Sequence, residues 1–337
     1  MPKQYQYTLA LGSLLLYVII GYGVSRHETL PLFFCYFSLF ILYALVVRTT
    51  KAMDDREVSY WLFCALIFRA VLLFSTPQLS DDVFRFIWDG RLLAAGQSPF
   101  THVPAYYMEP THTVAGLDAA LFEKLNSKDR YSSYPAVCQL IYWLSVKLSP
   151  DSIHGSVLLM KNLLFIFEIG TMWIMTKLIR HFNLTRPSIL IYALNPLVIL
   201  EITGNLHFEG VMIFFLMLAI YLLARKKMFP SVVAFAVSIC TKLIPLLFLP
   251  LLYHTIGWKR AVTYWLMTCM IAGILFLPLM NTGIVHGFST SIGYYFQRFE
   301  FNASAYYLVR EAGFLVFGFN IIQYAGPLLG LIAMTLI

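Results

Sequence analysis

Nine apolar stretches follow one another along this 337-residue chain, near 7–24, 30–48, 58–76, 156–179, 187–203, 208–225, 231–253, 261–280 and 305–337. Each is about as long as the roughly twenty residues a helix needs to cross a hydrocarbon core. The fold class expected is all-α: a polytopic membrane bundle of nine to eleven membrane segments, some broken or re-entrant. A composition of 59% hydrophobic and 12% charged residues excludes an ordinary soluble domain, and 16% aromatic residues suits interfacial belts. With no internal repeat and no linker, residues 1–337 read as one transmembrane domain.

Orientation follows from basic residues in short loops. The clusters are Arg48/Lys51/Arg56, Lys177/Arg180/Arg186, Arg225/Lys226/Lys227 and Lys259/Arg260. Placing all four in the cytoplasm puts the N-terminus there too. The long loop 77–133, the turn 204–209 and the loop 281–304 then share the opposite face. Loop lysines and arginines also explain the formal charge of +7, and no basic run has the length of a nucleic-acid footprint. Residues 231–254 must start and end in the cytoplasm, so they cannot be one plain crossing. Lys242, Pro245 and Pro250 interrupt them, and a broken backbone at membrane depth is tolerated where it lines a cavity. Residues 134–149 are short and follow the outer loop, so they dip into the outer leaflet or lie along it. The first apolar run has no small-x-small cleavage site and reads as a retained helix. The chain ends within an apolar run: either the last helix finishes there, or the sequence belongs to a longer protein.

Residues 80–100, SDDVFRFIWDGRLLAAGQSPF, concentrate the charge. Acids kept at a membrane mouth mark chemistry or transport. Asp81 and Asp82 are therefore the first candidates for a catalytic base. On a helix, Val83, Ile87 and Leu92 form an apolar face, with Arg85, Asp89 and Arg91 on other sides. Asp82/Arg85 and Arg85/Asp89 then stand at pairing distance. The plain reading is a surface helix with ion pairs and an N-cap aspartate. The functional reading is a carboxylate that takes a proton, with Arg85, Asp89 and Arg91 on the substrate.

Three further islands carry polar groups. In GNLHFEG (204–210), a turn explains the glycines and asparagine but not His207 and Glu209 at the start of the next helix. Lys242 lies mid-segment before Pro245, where a buried cation needs a partner, and a phosphate is an apt one. Residues 294–302 alternate aromatics with Arg298, Glu300 and Asn302, which suits a sugar or phosphate site. Lys161 and Glu168, two turns apart on one face, read as a structural pair. The five cysteines have no CxxC or Cys/His spacing, and HxE at 207–209 lacks further ligands, so no metal site is assigned.

Taken in order, these islands resemble the polyprenol-phosphate-dependent mannosyltransferases of the GT-C superfamily. The likeness extends to the catalytic subunit that adds the first mannose to the glycosylphosphatidylinositol anchor, and to bacterial relatives. It rests on the acidic stretch Asp81 to Phe100, Tyr134-Pro135, Asn195-Pro196 with Gly204-Asn205, Lys242-x-x-Pro245 and Phe299-Glu300-Phe301-Asn302. The resemblance implies an inverting hexosyl transfer, mannosyl by the likeness alone, from a polyprenyl-phosphate sugar on the non-cytoplasmic side. The acceptor would be a glycan or glycolipid. An outer-loop aspartate would be the base, Asp81 favoured over Asp82. Relatives carry Asp-x-Asp where this chain has Asp-Asp-Val, and an aspartate where it has Glu209. No nucleotide-cradling glycine loop is present, so no cofactor is required beyond the lipid-phosphate co-substrate, with a divalent metal optional.

Lys242 and Arg298 would neutralise the leaving phosphate, with His207, Glu209 and Asn302 completing the substrate site. Compact loops favour a bacterial inner membrane with a periplasmic site, and an endoplasmic-reticulum membrane has the same topology. The rival readings are a secondary transporter with a midplane site at the broken helix, and a non-catalytic subunit of a glycan-assembly complex. Against a transporter, the acids sit in an outer loop.

Overall fold

The computed structural model describes residues 2–281, 283–297 and 306–336. Among these the chain is helix, turn and loop, with no strand. Its helices are α1 (Lys3–Tyr22), α2 (Thr29–Arg48), α3 (Asp55–Val71), α4 (Asp82–Ala94), α5 (Ala119–Glu123), α6 (Ala136–Leu148), α7 (Ile153–His181) and α8 (Leu190–Ala193). They continue with α9 (Pro196–Val198), α10 (Glu209–Ala224), α11 (Met228–Ile239), α12 (Leu252–Ile256), α13 (Trp258–Phe276), α14 (Ile284–Gln297), α15 (Tyr306–Phe317) and α16 (Ile322–Leu336). The structure is thus an all-α bundle of a polytopic membrane protein.

Among the described residues, four helical segments have the length and apolarity of a span: Lys3–Tyr22, Thr29–Ala52, Ile153–His181 and Trp258–Leu279. A fifth is Arg186–Ala193 with Pro196–Gly204, bent by 51°. Asn195 caps the second half of that bent pair by accepting from Leu197 N, and Pro196 at the first helical position fits its start. The other apolar windows resolve into shorter helices. The window 305–337 is two helices rather than one, because Gly318 adopts φ +76° and ends α15. The window 231–253 breaks as its lysine and prolines foretold: α11 stops at Ile239 and short turns carry the chain on to α12.

Local chemistry fixes the ends. Asp54 accepts from Arg56 N and Glu57 N while Glu57 reaches back to Asp54 N, a capping box that starts α3. The C-terminal end of α3 is closed by Lys161 of α7, whose Nζ donates to Leu72 O (2.8 Å), Ser75 O (2.7 Å) and Ser75 Oγ (2.9 Å). This corrects the expected Lys161–Glu168 pair. Glu168 instead pairs with Arg69 of α3, its Oε2 lying 3.0 Å from Nε and 2.9 Å from Nη2, both side chains fully buried. Two helical turns put Lys161 and Glu168 on one face, but separate features of α3 claim them.

Three apolar clusters make the core. The first joins α1, α2, α3 and the bent pair around Tyr17, Leu39, Trp61 and Phe68. The second joins α4, α6 and α7 around Phe86, Trp88, Tyr142 and Phe208. The third joins α10, α11 and α13 around Val232, Phe235 and Tyr264. Outside them, Leu11, Leu15, Phe33, Phe37, Leu266, Met270 and Ile274 are exposed, the surface that lipid covers. Helix α6 does not stand apart: it crosses α4 so closely that a Cβ on Gly90 would lie 2.6 Å from Tyr142 O. Its outward residues Leu140, Leu144 and Leu148 are exposed and apolar.

Candidate functional site

The acidic stretch is placed from three sides. Once Lys161 has closed α3, the chain runs to Leu79, whose N donates to Asn205 Oδ1 (3.3 Å) in the turn before α10. Ser80 Oγ accepts from Asp82 N (3.2 Å) and begins α4. Asp81 and Asp82 therefore stand at the positive end of α4, beside the turn 205–208. Their surroundings differ. Asp81 Oδ2 lies 2.6 Å from Arg26 Nη2, in the turn between α1 and α2, with both side chains about one third exposed. Asp82 Oδ1 accepts from Asn126 Nδ2 (2.8 Å) of the long loop, leaving Oδ2 for another partner.

Next comes the break after α11. Its last carbonyls are satisfied by the start of α6: Val137 N donates to Cys240 O (2.9 Å) and Cys138 Sγ to Thr241 O (3.2 Å). Lys242 N still donates back to Ser238 O (3.1 Å), and its side chain extends from this helix end. Its Nζ lies 2.8 Å from Glu209 Oε1 at the first turn of α10. The charge of Asp82 also reaches Lys242. The second oxygen of Glu209, Oε2, is buried and makes no hydrogen bond among the described residues. Glu209 and Lys242 thus pair across two elements, each about one third exposed, and Asp82 of a third element stands near enough for its charge to act on Lys242.

His207 lies near this pair. Its Nδ1 lies 3.2 Å from Glu201 Oε2. Glu201 also accepts from Tyr36 Oη (3.2 Å) and Asn205 Nδ2 (3.2 Å). The segment Ile199–Gly204 that carries Glu201 is a π-helix, a wide turn that recurs at functional sites, and Leu206 follows it at φ +64°. Burial opposes charge on His207, but the Glu201 hydrogen bond and the fields of Glu209 and Glu201 outweigh it and hold the imidazole pKa above its usual value. Glu201, Tyr36 and Arg26 were not singled out from the sequence. The available signal was an acid inside the apolar run ILEITG, which is costly unless partnered.

The other candidates fall elsewhere. Arg85 and Asp89 are buried on α4 and pair through Nε and Oδ1 at 2.7 Å. Arg85 Nη1 donates to Ser127 O (3.1 Å) and Arg130 O (2.9 Å), while Asp89 Oδ2 accepts from Ser132 Oγ and from Gln139 Nε2 (3.0 Å). These groups lash the long loop onto α4, so the apolar face expected from Val83, Ile87 and Leu92 is only part of a helix covered nearly all round. Arg91 Nη1 donates to Gly116 O (2.6 Å) and anchors the same loop further out. Arg298 and Asn302 lie outside the described residues. What precedes them packs onto the first loop: Ser291 Oγ donates to Tyr131 O (2.8 Å), and Arg130 covers the Tyr294 ring at 4.2 Å. Among the described residues no group of three His, Cys, Asp or Glu side chains is arranged to hold a metal ion.

A polytopic helical bundle that brings an acid-and-lysine pair from α10 and the break after α11 near the acidic start of α4 is the class that fold and site define. Residues 15–258 match the family described as alpha-(1->6)-mannopyranosyltransferase, N-terminal domain, and the chain belongs to that family. The match takes in Asp81, Asp82, His207, Glu209 and Lys242, and it agrees with the mannosyltransferase resemblance read from the motifs. Among curated proteins, the chain is similar to alpha-(1->6)-mannopyranosyltransferase A of Corynebacterium glutamicum, 24% identical over 207 residues, 60% of this chain and 39% of that protein. It is also similar to alpha-(1->6)-mannopyranosyltransferase B of the same organism, 25% identical over 154 residues, 45% of this chain and 25% of that protein. The matched part therefore spans well under half the length of either relative. No solved structure matches the chain.

Proposed function

We propose that this protein is a membrane mannosyltransferase that moves a mannosyl group from a polyprenyl-phosphate donor to a hydroxyl of a glycan or glycolipid acceptor, at the non-cytoplasmic face of a bacterial inner membrane. The observation that carries the reading is the Lys242–Glu209 pair at the helix break after α11, with Asp82 near enough for its charge to act on Lys242. A polyprenyl tail needs an apolar groove, and its phosphate needs a cation at the groove's polar end. Lys242 is that cation, and on binding it exchanges Glu209 for phosphate oxygen.

In the reaction, the acceptor hydroxyl loses its proton to a carboxylate and its oxygen attacks the anomeric carbon. The bond from that carbon to the phosphate oxygen breaks, and the polyprenyl phosphate leaves with both electrons. Fixed positive charge at the leaving oxygens lowers the barrier more than protonation would. Attack from the face opposite the phosphate inverts the anomeric centre. An α-(1->6) product, as in the relatives' names, then requires a β-linked donor. We assign the base to Asp82 rather than Asp81. Asp82 keeps one carboxylate oxygen with no donor among the described residues and its charge acts on Lys242, whereas Asp81, first choice from the sequence, is paired with Arg26.

The test is incubation of the purified full-length protein with a panel of polyprenyl-phosphate sugars and an oligomannoside acceptor, read by mass spectrometry. The expected result is acceptor extended by one hexose with the mannosyl donor. Solute uptake into proteoliposomes with no extended product from any donor would favour a transporter and overturn the reading.

A further inference from the structure

We infer that Glu201 is a positioning residue for His207, fixing the imidazole through Nδ1 so that Nε2 donates a hydrogen bond to an anionic oxygen of the donor's phosphate beside Lys242. This rests on the proposed transfer reaction and adds two residues, Glu201 and Tyr36, that no motif or relative assigns.

Several observations converge on it. A carboxylate on Nδ1 sets which ring nitrogen is presented to a ligand and stabilises the protonated ring. Here Glu201 Oε2 supplies that contact at 3.2 Å, while Nε2 makes no hydrogen bond to any described residue. The carboxylate is itself held: Tyr36 Oη reaches it from α2 and Asn205 Nδ2 from the turn, both at 3.2 Å. A hydrogen-bonded acid of this kind, on the π-helical turn Ile199–Gly204, has little freedom to follow another partner. The charged groups around His207 are Glu201 on that turn, Glu209 on α10 and Lys242 at the break after α11, with Asp82 of α4 beyond Lys242. When phosphate takes Lys242, a protonated His207 supplies the second positive donor. The imidazole pKa is raised by the Glu201 hydrogen bond and the nearby carboxylates, in the direction that favours the protonated ring.

The test uses the full-length protein, with transfer from polyprenyl-phosphate mannose followed from pH 5.5 to 9. Wild-type activity should fall on the alkaline side as His207 loses its proton. Glu201→Gln removes the charge that holds the proton, so the alkaline limb should move to lower pH and the donor KM should rise roughly tenfold, the scale of one charge-assisted hydrogen bond, with kcat less affected. Glu201→Asp should recover most of both. His207→Gln should abolish the limb, and adding Glu201→Gln to it should change donor KM less than twofold. An alkaline limb that persists unshifted in Glu201→Gln and in His207→Gln, with transfer intact, overturns the inference while leaving the transferase reading in place. Absence of transfer by wild type under every condition would instead fault that reading.

Discussion

Replacing Glu168 by Met should be among the most damaging single changes in the bundle. Arg69 and Glu168 are both fully buried; Glu168 Oε2 accepts from Arg69 Nε (3.0 Å) and lies 2.9 Å from Nη2, while Oε1 accepts from Tyr192 Oη (2.6 Å). Arg69 Nη1 also donates to Ala65 O (3.0 Å) and Ala193 O (2.7 Å), tying α3 to the bent pair. Without the carboxylate the guanidinium keeps only those carbonyls. Stranding one partner of a buried ion pair costs about 3–5 kcal/mol. The Tyr192 hydroxyl loses its acceptor as well, for about 1 kcal/mol more. If the contact were an average interhelical hydrogen bond, the cost would be only about 0.6 kcal/mol. The double variant Arg69→Met/Glu168→Met removes both charges and should return to within about 2 kcal/mol of wild type. Reversible unfolding in mixed micelles, with all four members of the cycle, separates the cases. A Glu168→Met loss below about 1 kcal/mol, or a double variant no better than the single, would refute the reasoning.

Two other outcomes follow from the same geometry. Gly90→Ala puts a methyl 2.6 Å from Tyr142 O and 2.8 Å from Val146 Cγ2, so α4 must lift off α6; thermal unfolding should show a loss of about 1–3 kcal/mol. Lys242→Gln removes the cation opposite Glu209 and should lower kcat/KM for the lipid-phosphate donor by about 10²–10³, and Lys242→Gln/Glu209→Gln, which leaves no unpaired carboxylate, should not restore transfer.

The all-helical membrane bundle was legible because lipid leaves the backbone few choices, and apolar run length reports it directly. The break at Lys242 was legible too, since a lysine and two prolines cannot sit in a plain span. Harder was the difference between acids near Lys242 and acids that face protein. Periodicity places Arg85 and Asp89 off the apolar stripe of α4, yet the long loop folds over that side and buries them. The decisive contacts, with Ser127, Arg130, Ser132 and Gln139, come from residues about 42 to 50 positions away. Glu201 was concealed for the opposite reason: its partner Tyr36 lies 165 residues earlier, and the acid sits within an apolar run. Glu168 and Lys161 show that a shared helix face does not select a partner when another helix offers a guanidinium or open carbonyls.

The most direct test of the account compares single-turnover mannosyl transfer by Asp82→Asn and Asp81→Asn at saturating donor. A positioned general base contributes about 10²–10⁴ in rate. The account predicts that Asp82→Asn loses at least about 10² in rate with donor affinity unchanged, while Asp81→Asn stays within about tenfold of wild type. Full transfer by Asp82→Asn, or the larger loss falling on Asp81→Asn, would contradict it.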